Sequence, residues 1–215
     1  LRILNRVQLN LTKYLWLRFL KARFKKVERI TLSYGQEVEV IVYAADYTGK
    51  MGQHTLFGTI IVDELAFRSP RYLERVITHE LAHKHQWYGY LAYPLAISFG
   101  VVAFCMLLTA LITFLLSVFL LSAKSVLGAV YLLLFAIPVV IIPCAYSWFI
   151  EYKAEAWTFK KLGIETVLEI DKTLPLPSKA PVFWRIVNRM THPPPKLVEK
   201  IYRRFNHLDY EEQKS

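Results

Sequence analysis

Hydrophobic and polar positions recur with different periods along this chain, and each period predicts an element. Between Leu1 and Lys26, Leu4, Val7, Leu11, Leu15 and Phe19 return at helical spacing, with Arg2, Arg6, Lys13, Arg18 and Lys21 around them. That spacing predicts a basic amphipathic helix lying against anionic lipid, or equally the flank of an upstream membrane helix. Charges run through the segment, so it does not read as a signal peptide. Because the chain starts with Leu, either an upstream part is missing or the start codon is unusual. Glu37 to Tyr43 (EVEVIVY) begins with strict alternation and is rich in β-branched residues, which predicts a strand. A second strand is expected at about His54 to Val62, as an antiparallel partner of the first. Ser69-Pro70 supplies an N-cap and a first helical residue, opening a helix through Leu73, Val76, Ile77, Leu81 and Ala82 to about Trp87.

The period then disappears into two apolar runs. Pro94 to Leu121 has 28 residues and reaches ~42 Å as a helix, and Val126 to Phe149 reaches ~36 Å. Both exceed the ~30 Å hydrocarbon core, so they predict a transmembrane hairpin, kinked at Pro138 and Pro143. Trp87, Tyr88, Tyr90 and Tyr93 precede the first run, and Tyr146 and Trp148 end the second, as aromatic residues do at a membrane interface. After Glu151 a helix continues to Leu162, a Pro-rich loop follows over Asp171 to Pro181, and Lys196 to Phe205 reads as a short helix. The expected organisation is a basic or membrane-flanking helix (1–26), the first half of a catalytic domain (27–90), the hairpin (91–150) and the second half (151–215).

Composition supports this picture. Hydrophobic residues make up 54% of the chain and charged ones 20%, with a mean hydropathy of +0.29, which excludes a disordered chain. The net charge of +10 would suit nucleic acid, but its distribution argues otherwise. Of 27 Lys and Arg, 14 precede Gln86 and 12 follow Ile150, leaving only Lys124 between the runs. For a hairpin that is the positive-inside pattern, so an integral membrane protein with a cytoplasmic catalytic domain is expected, and no nucleic-acid partner. Cys105 and Cys144 lie inside the apolar runs and read as small packing residues.

His79-Glu80-Leu81-Ala82-His83 matches HExxH. On a helix the two imidazoles share one face and can chelate a zinc ion, with Glu80 placed to take a proton from an attacking water. A third protein ligand is needed, from among His54, His85, His192, His207 and the carboxylates. Glu151 is the strongest of these, because the hairpin leaves from the end of the HExxH helix and returns at Glu151. His85 falls on a different helix face, His54 reads as an exposed strand residue, and His207 lies in a polar tail.

Taken together, ITHELAHKH, two apolar runs, EYKAEAWTFKKLG and THPPPKLVEKIYRR resemble the HtpX-like membrane zinc endopeptidases, gluzincins related to the CAAX prenyl proteases. The resemblance covers roughly Thr59 to Arg204. It implies zinc ligands at His79, His83 and Glu151, and a general base at Glu80. It also implies a histidine at His192 that helps stabilise the tetrahedral intermediate. The family usually has Asp four residues after its glutamate ligand, buttressing a zinc-bound histidine; here that position is Glu155, one methylene longer. Members also usually carry two spans ahead of HExxH, whereas this chain has at most part of one.

The expected fold class is therefore an α+β membrane protein. A mainly helical gluzincin-type domain with a small antiparallel sheet would be interrupted by a two-helix transmembrane hairpin. The expected function is a membrane-embedded zinc endopeptidase acting on membrane or membrane-proximal proteins, with quality control as the family's usual role. Its partners would be protein or peptide substrates and the bilayer; oligomeric state is not indicated. The strand at His54 to Val62 would offer an edge to an extended peptide. The rival is a catalytically dead scaffold with a structural zinc site, against which an intact Glu80 counts. An intramembrane site-two type of protease fits less well, since Arg71, Glu74 and Arg75 precede the motif.

Overall fold

The computed structural model describes residues 6–44, 51–55, 57–86, 104–116, 123–173 and 192–212, with isolated positions 98 and 102. Helix α1 opens over Arg6–Leu11, widens to π-helical over Thr12–Trp16 and closes at Leu17–Phe19. Four strands follow: β1 (Arg23–Thr31), β2 (Glu37–Ala44), β3 (Gly52–His54) and β4 (Ile60–Asp63). A 3-10 turn at Glu64–Arg68 leads into α2 (Pro70–His85), which carries HExxH. Beyond it come α3 (Ala123–Leu162), α4 (Ile164–Thr173) and α5 (Pro195–Glu212).

The sheet order is β1-β2-β4-β3. β1 and β3 are antiparallel to their neighbours, whereas β2 and β4 run parallel. The small sheet is thus mixed rather than antiparallel, and the expected pairing of the two sequence-predicted strands is corrected. The reason is local. The second predicted strand is broken at Thr55–Thr59, where Thr55 N–H donates to the Thr59 carbonyl at 2.8 Å and the Thr55 hydroxyl meets that of Thr59. The chain reverses there, so the first part becomes an edge strand antiparallel to the second.

Both faces of β2 are buried, which explains why EVEVIVY alternates only at its start. Val38, Val40 and Val42 join Ile60, Val62, Val76, Ile77 and Leu81 in a core between sheet and α2. Ile41, Tyr43 and Ile61 face the other way and are covered by Leu17, with Leu9, Trp16 and Leu20 packed alongside. One face of helix α1 therefore forms a third layer behind the sheet, because those strand residues need cover from water. Three contacts tie it to β3 and the β3–β4 turn: Thr12 to Thr59, Gln8 to the Phe57 carbonyl, and Trp16 to Gln53. β1 carries Arg23, Lys25, Lys26 and Arg29, a charged outer strand that the sequence reading had placed partly in the helix.

The expected membrane hairpin is not met: among the described residues no helix is long and apolar enough to cross a membrane. Of the first run, positions 98, 102 and 104–116 are described and are helical; the rest lies outside the described residues. The second run belongs to α3, a 40-residue helix containing Pro138 and Pro143 that passes without a break into charged residues beyond Ile150. The membrane fold class and the integral-membrane localisation fall with the spans, and so does the orientation read from the charges around Lys124. Cys105 is exposed, so it is not the packing residue expected of it. Most of the Pro-rich loop, from 174 to 181, lies outside the described residues, as does Trp87.

Candidate metal centre

Helix α2 starts where its sequence predicts. The Ser69 hydroxyl accepts from Tyr72 N–H and Pro70 occupies the first turn. Val76, Ile77 and Leu81 pin one face to the sheet. His79 and His83, four residues apart, then point together at α3. The end of α2 is fastened to α3 by Gln86, whose Nε2 donates to the Ile150 carbonyl at 3.4 Å, one residue before Glu151.

Three donor atoms converge there. His79 Nε2 lies 3.2 Å from His83 Nε2 and 3.3 Å from Glu151 Oε2, and His83 Nε2 lies 3.5 Å from that same oxygen. Ligands bound at about 2.0–2.1 Å around a tetrahedral ion stand about 3.3–3.4 Å apart, so this triangle has the size of one tetrahedral face. His79, His83 and Glu151 can therefore hold a metal ion.

The surroundings orient the ligands. His79 Nδ1 donates to Glu155 Oε2 at 2.8 Å, leaving Nε2 for the centre. The other Glu155 oxygen accepts from Arg75 Nη2 at 2.7 Å, and Arg75 also forks onto Asp171 through Nε and Nη2 at 2.9 and 3.0 Å. His192 Nε2 lies 3.2 Å from Glu151 Oε1, the oxygen turned away from the two histidines. Burial alone would lower the His79 imidazole, but hydrogen bonds and charge from Glu151 and Glu155 override it and push it up to about 10. Burial would raise Glu151, yet the hydrogen bonds of His79 and His83 hold it well below the carboxylate range. Glu155 is likewise lowered against its burial, chiefly by the Arg75 charge.

Glu80 lies toward the sheet edge, where its Oε2 accepts the His54 backbone N–H at 2.6 Å. Met51 and Thr55 bond inward to Asp63 and Thr59, so alternation turns the backbone groups of Gly52 and His54 to the outer edge. The approach is close because residue 52 is glycine: a Cβ there would collide with Val76 Cγ1 and stand 3.2 Å from Glu80 Cγ.

Five of the six residues singled out from the sequence thus meet in one cluster, His79, His83, Glu151, Glu155 and His192, while the sixth, Glu80, holds its carboxylate at the His54 backbone. His54 contributes its backbone, and burial, with the charges of His83 and Lys84, pushes its imidazole down to about 4. His85 packs near the Trp157 ring, with centroids 6.1 Å apart. His207 is helical, but its side chain lies outside the described residues. Arg75 and Asp171 were missed. The signal for Arg75 was its place one turn before His79, on the same helix face; Asp171 gave none. No protein-family model, curated protein sequence or solved structure matches this chain.

Proposed function

We propose that this protein is a zinc-dependent endopeptidase of the gluzincin type, acting on extended peptide segments. The observation that carries the reading is the three-donor cluster of His79, His83 and Glu151, on whose helix Glu80 follows His79 directly and holds its carboxylate at the β3 backbone. Two neutral imidazoles and a carboxylate suit zinc, and three ligands leave one position for water or substrate. The resemblance of three sequence blocks to the HtpX-like endopeptidases supports the same assignment.

Bound zinc would polarise a carbonyl and make water acidic enough to react at neutral pH. Glu80 would be the base for that water's proton. Its Oε2 is held by the His54 N–H, which leaves Oε1 to accept the proton and pass it to the departing amine. An extended chain adding at the outer edge of β3 would pair with backbone groups of Gly52 and His54 other than the His54 N–H, which Glu80 holds. Glu155 and Arg75 hold His79 in one orientation. His192 stands at the rim, about one-third exposed, where it donates toward negative charge.

The test compares wild type with Glu80→Gln, measuring zinc content alongside cleavage of casein and a panel of unfolded peptides. Both proteins should hold one zinc per chain, and Glu80→Gln should lose about 10²–10⁴-fold in rate. Equal inertness of two zinc-loaded proteins across the panel would instead indicate a structural metal site.

A further inference from the structure

We propose that Arg75, forked between Glu155 and Asp171, is a positioning residue for the metal centre: it locks the Glu155 carboxylate onto His79 and so sets that ligand's aim. The proposal rests on His79 being a metal ligand and is independent of proteolysis.

The argument begins with helix periodicity. Arg75 and His79 are one turn apart on α2, and Glu151 and Glu155 one turn apart on α3, so each pair shares a helix face. The contacts run His83 to Glu151, His79 to both glutamates, and Arg75 to Glu155, which makes the helices antiparallel here. Glu155 is shared: Oε1 accepts from Arg75 and Oε2 from His79. The two oxygens belong to one rigid plane, so holding one fixes the direction of the other. A glutamate has one more rotatable bond than an aspartate, and Arg75 supplies the anchor that this extra freedom requires.

Arg75 is held in turn. Its side chain is 17% exposed, and a guanidinium so placed needs paired, hydrogen-bonded acceptors. Nε and Nη2 meet both oxygens of Asp171, the bidentate geometry that fixes a guanidinium plane. Asp171 lies on α4, which follows a reversal at Gly163, whose φ of 83° favours glycine. The α4 helix is thereby coupled to the metal ligand through a chain of three side chains.

The test is zinc affinity of the folded protein, measured by competition with a chelating dye, with Co²⁺ absorption as a report on ligand geometry. Glu155→Gln should weaken zinc about 10–100-fold. Arg75→Gln should weaken it by less, about 3–10-fold, and shift the Co²⁺ bands. Simple charge predicts the opposite sign, since deleting a nearby cation would tighten zinc. In a Glu155→Gln background, Arg75→Gln should cause no further weakening, because its effect passes through Glu155. Unchanged or tighter zinc in Arg75→Gln, or equal weakening in both backgrounds, overturns the proposal. Arg75→Lys retains the charge and loses the fork, and covers the case in which Arg75→Gln does not fold. Wild-type zinc affinity in Arg75→Lys overturns it equally.

Discussion

Glu155 Oε2 lies 2.8 Å from His79 Nδ1, although Glu155 is one methylene longer than the aspartate expected at this position from the resemblance. The extra length is accommodated because the second oxygen is drawn to Arg75 on the turn below. A carboxylate that orients a ligating imidazole fixes its tautomer and strengthens it as a donor. Glu155, held by Arg75, thus orients the His79 imidazole.

The third ligand is tested by removing it. Glu151→Ala should fall from one zinc per chain to substoichiometric occupancy after gel filtration, while His85→Ala stays fully loaded. Elemental analysis decides the matter; full occupancy in folded Glu151→Ala would remove Glu151 from the ligand set.

Stability should depend on pH in opposite ways for the two kinds of group. His79 is raised to about 10 from 6.5, so the stability it contributes is full below pH 6.5 and lost as pH rises through 10. Chelator-treated protein should accordingly melt at progressively lower temperature across that window. Zinc-loaded protein should not, since coordination requires the imidazole nitrogen to be deprotonated already. Glu151 and Glu155 are lowered from 4.5, so their contribution is full above that value and lost as pH falls. Circular-dichroism melts between pH 3 and pH 10.5 would reveal both limbs; a flat alkaline limb in chelated protein would contradict the first.

Gly52→Ala should be costly although alanine is small. Its Cβ meets Val76 Cγ1, so strand and helix must separate, at about 1–3 kcal/mol for overpacking. The same displacement moves the His54 N–H from Glu80, so catalysis should fall further than stability alone explains. Denaturant titration and cleavage rates of the folded fraction give the two numbers, and an unperturbed Gly52→Ala protein would show that the close approach is unnecessary.

His192→Ala should retain zinc and substrate affinity but lose turnover by about 10²–10³, the usual effect of deleting one donor to developing negative charge. Its contact with Glu151 goes to the oxygen away from the histidines, so metal occupancy should survive. A fall in zinc content with kcat preserved in the loaded fraction would assign His192 to holding Glu151 instead.

The HExxH helix was legible in the sequence because everything that makes it is local. The Ser69 cap, Pro70, the apolar face of Val76, Ile77 and Leu81, and the one-turn spacing of His79 and His83 all fall within fifteen residues. Glu151 was legible for a weaker reason, the return of the chain after two apolar runs. The return holds, whereas among the described residues no helix meets the spans inferred from those runs. Tertiary structure alone decided the sheet order, because strand alternation records that a face is buried and not which neighbour buries it. It also decided the Arg75, Glu155 and Asp171 chain, whose members lie 80 and 96 residues apart along the sequence. Such contacts leave no periodicity in the chain. They arise when two helices dock antiparallel, and burial then makes each charge depend on a partner that only the fold brings within reach.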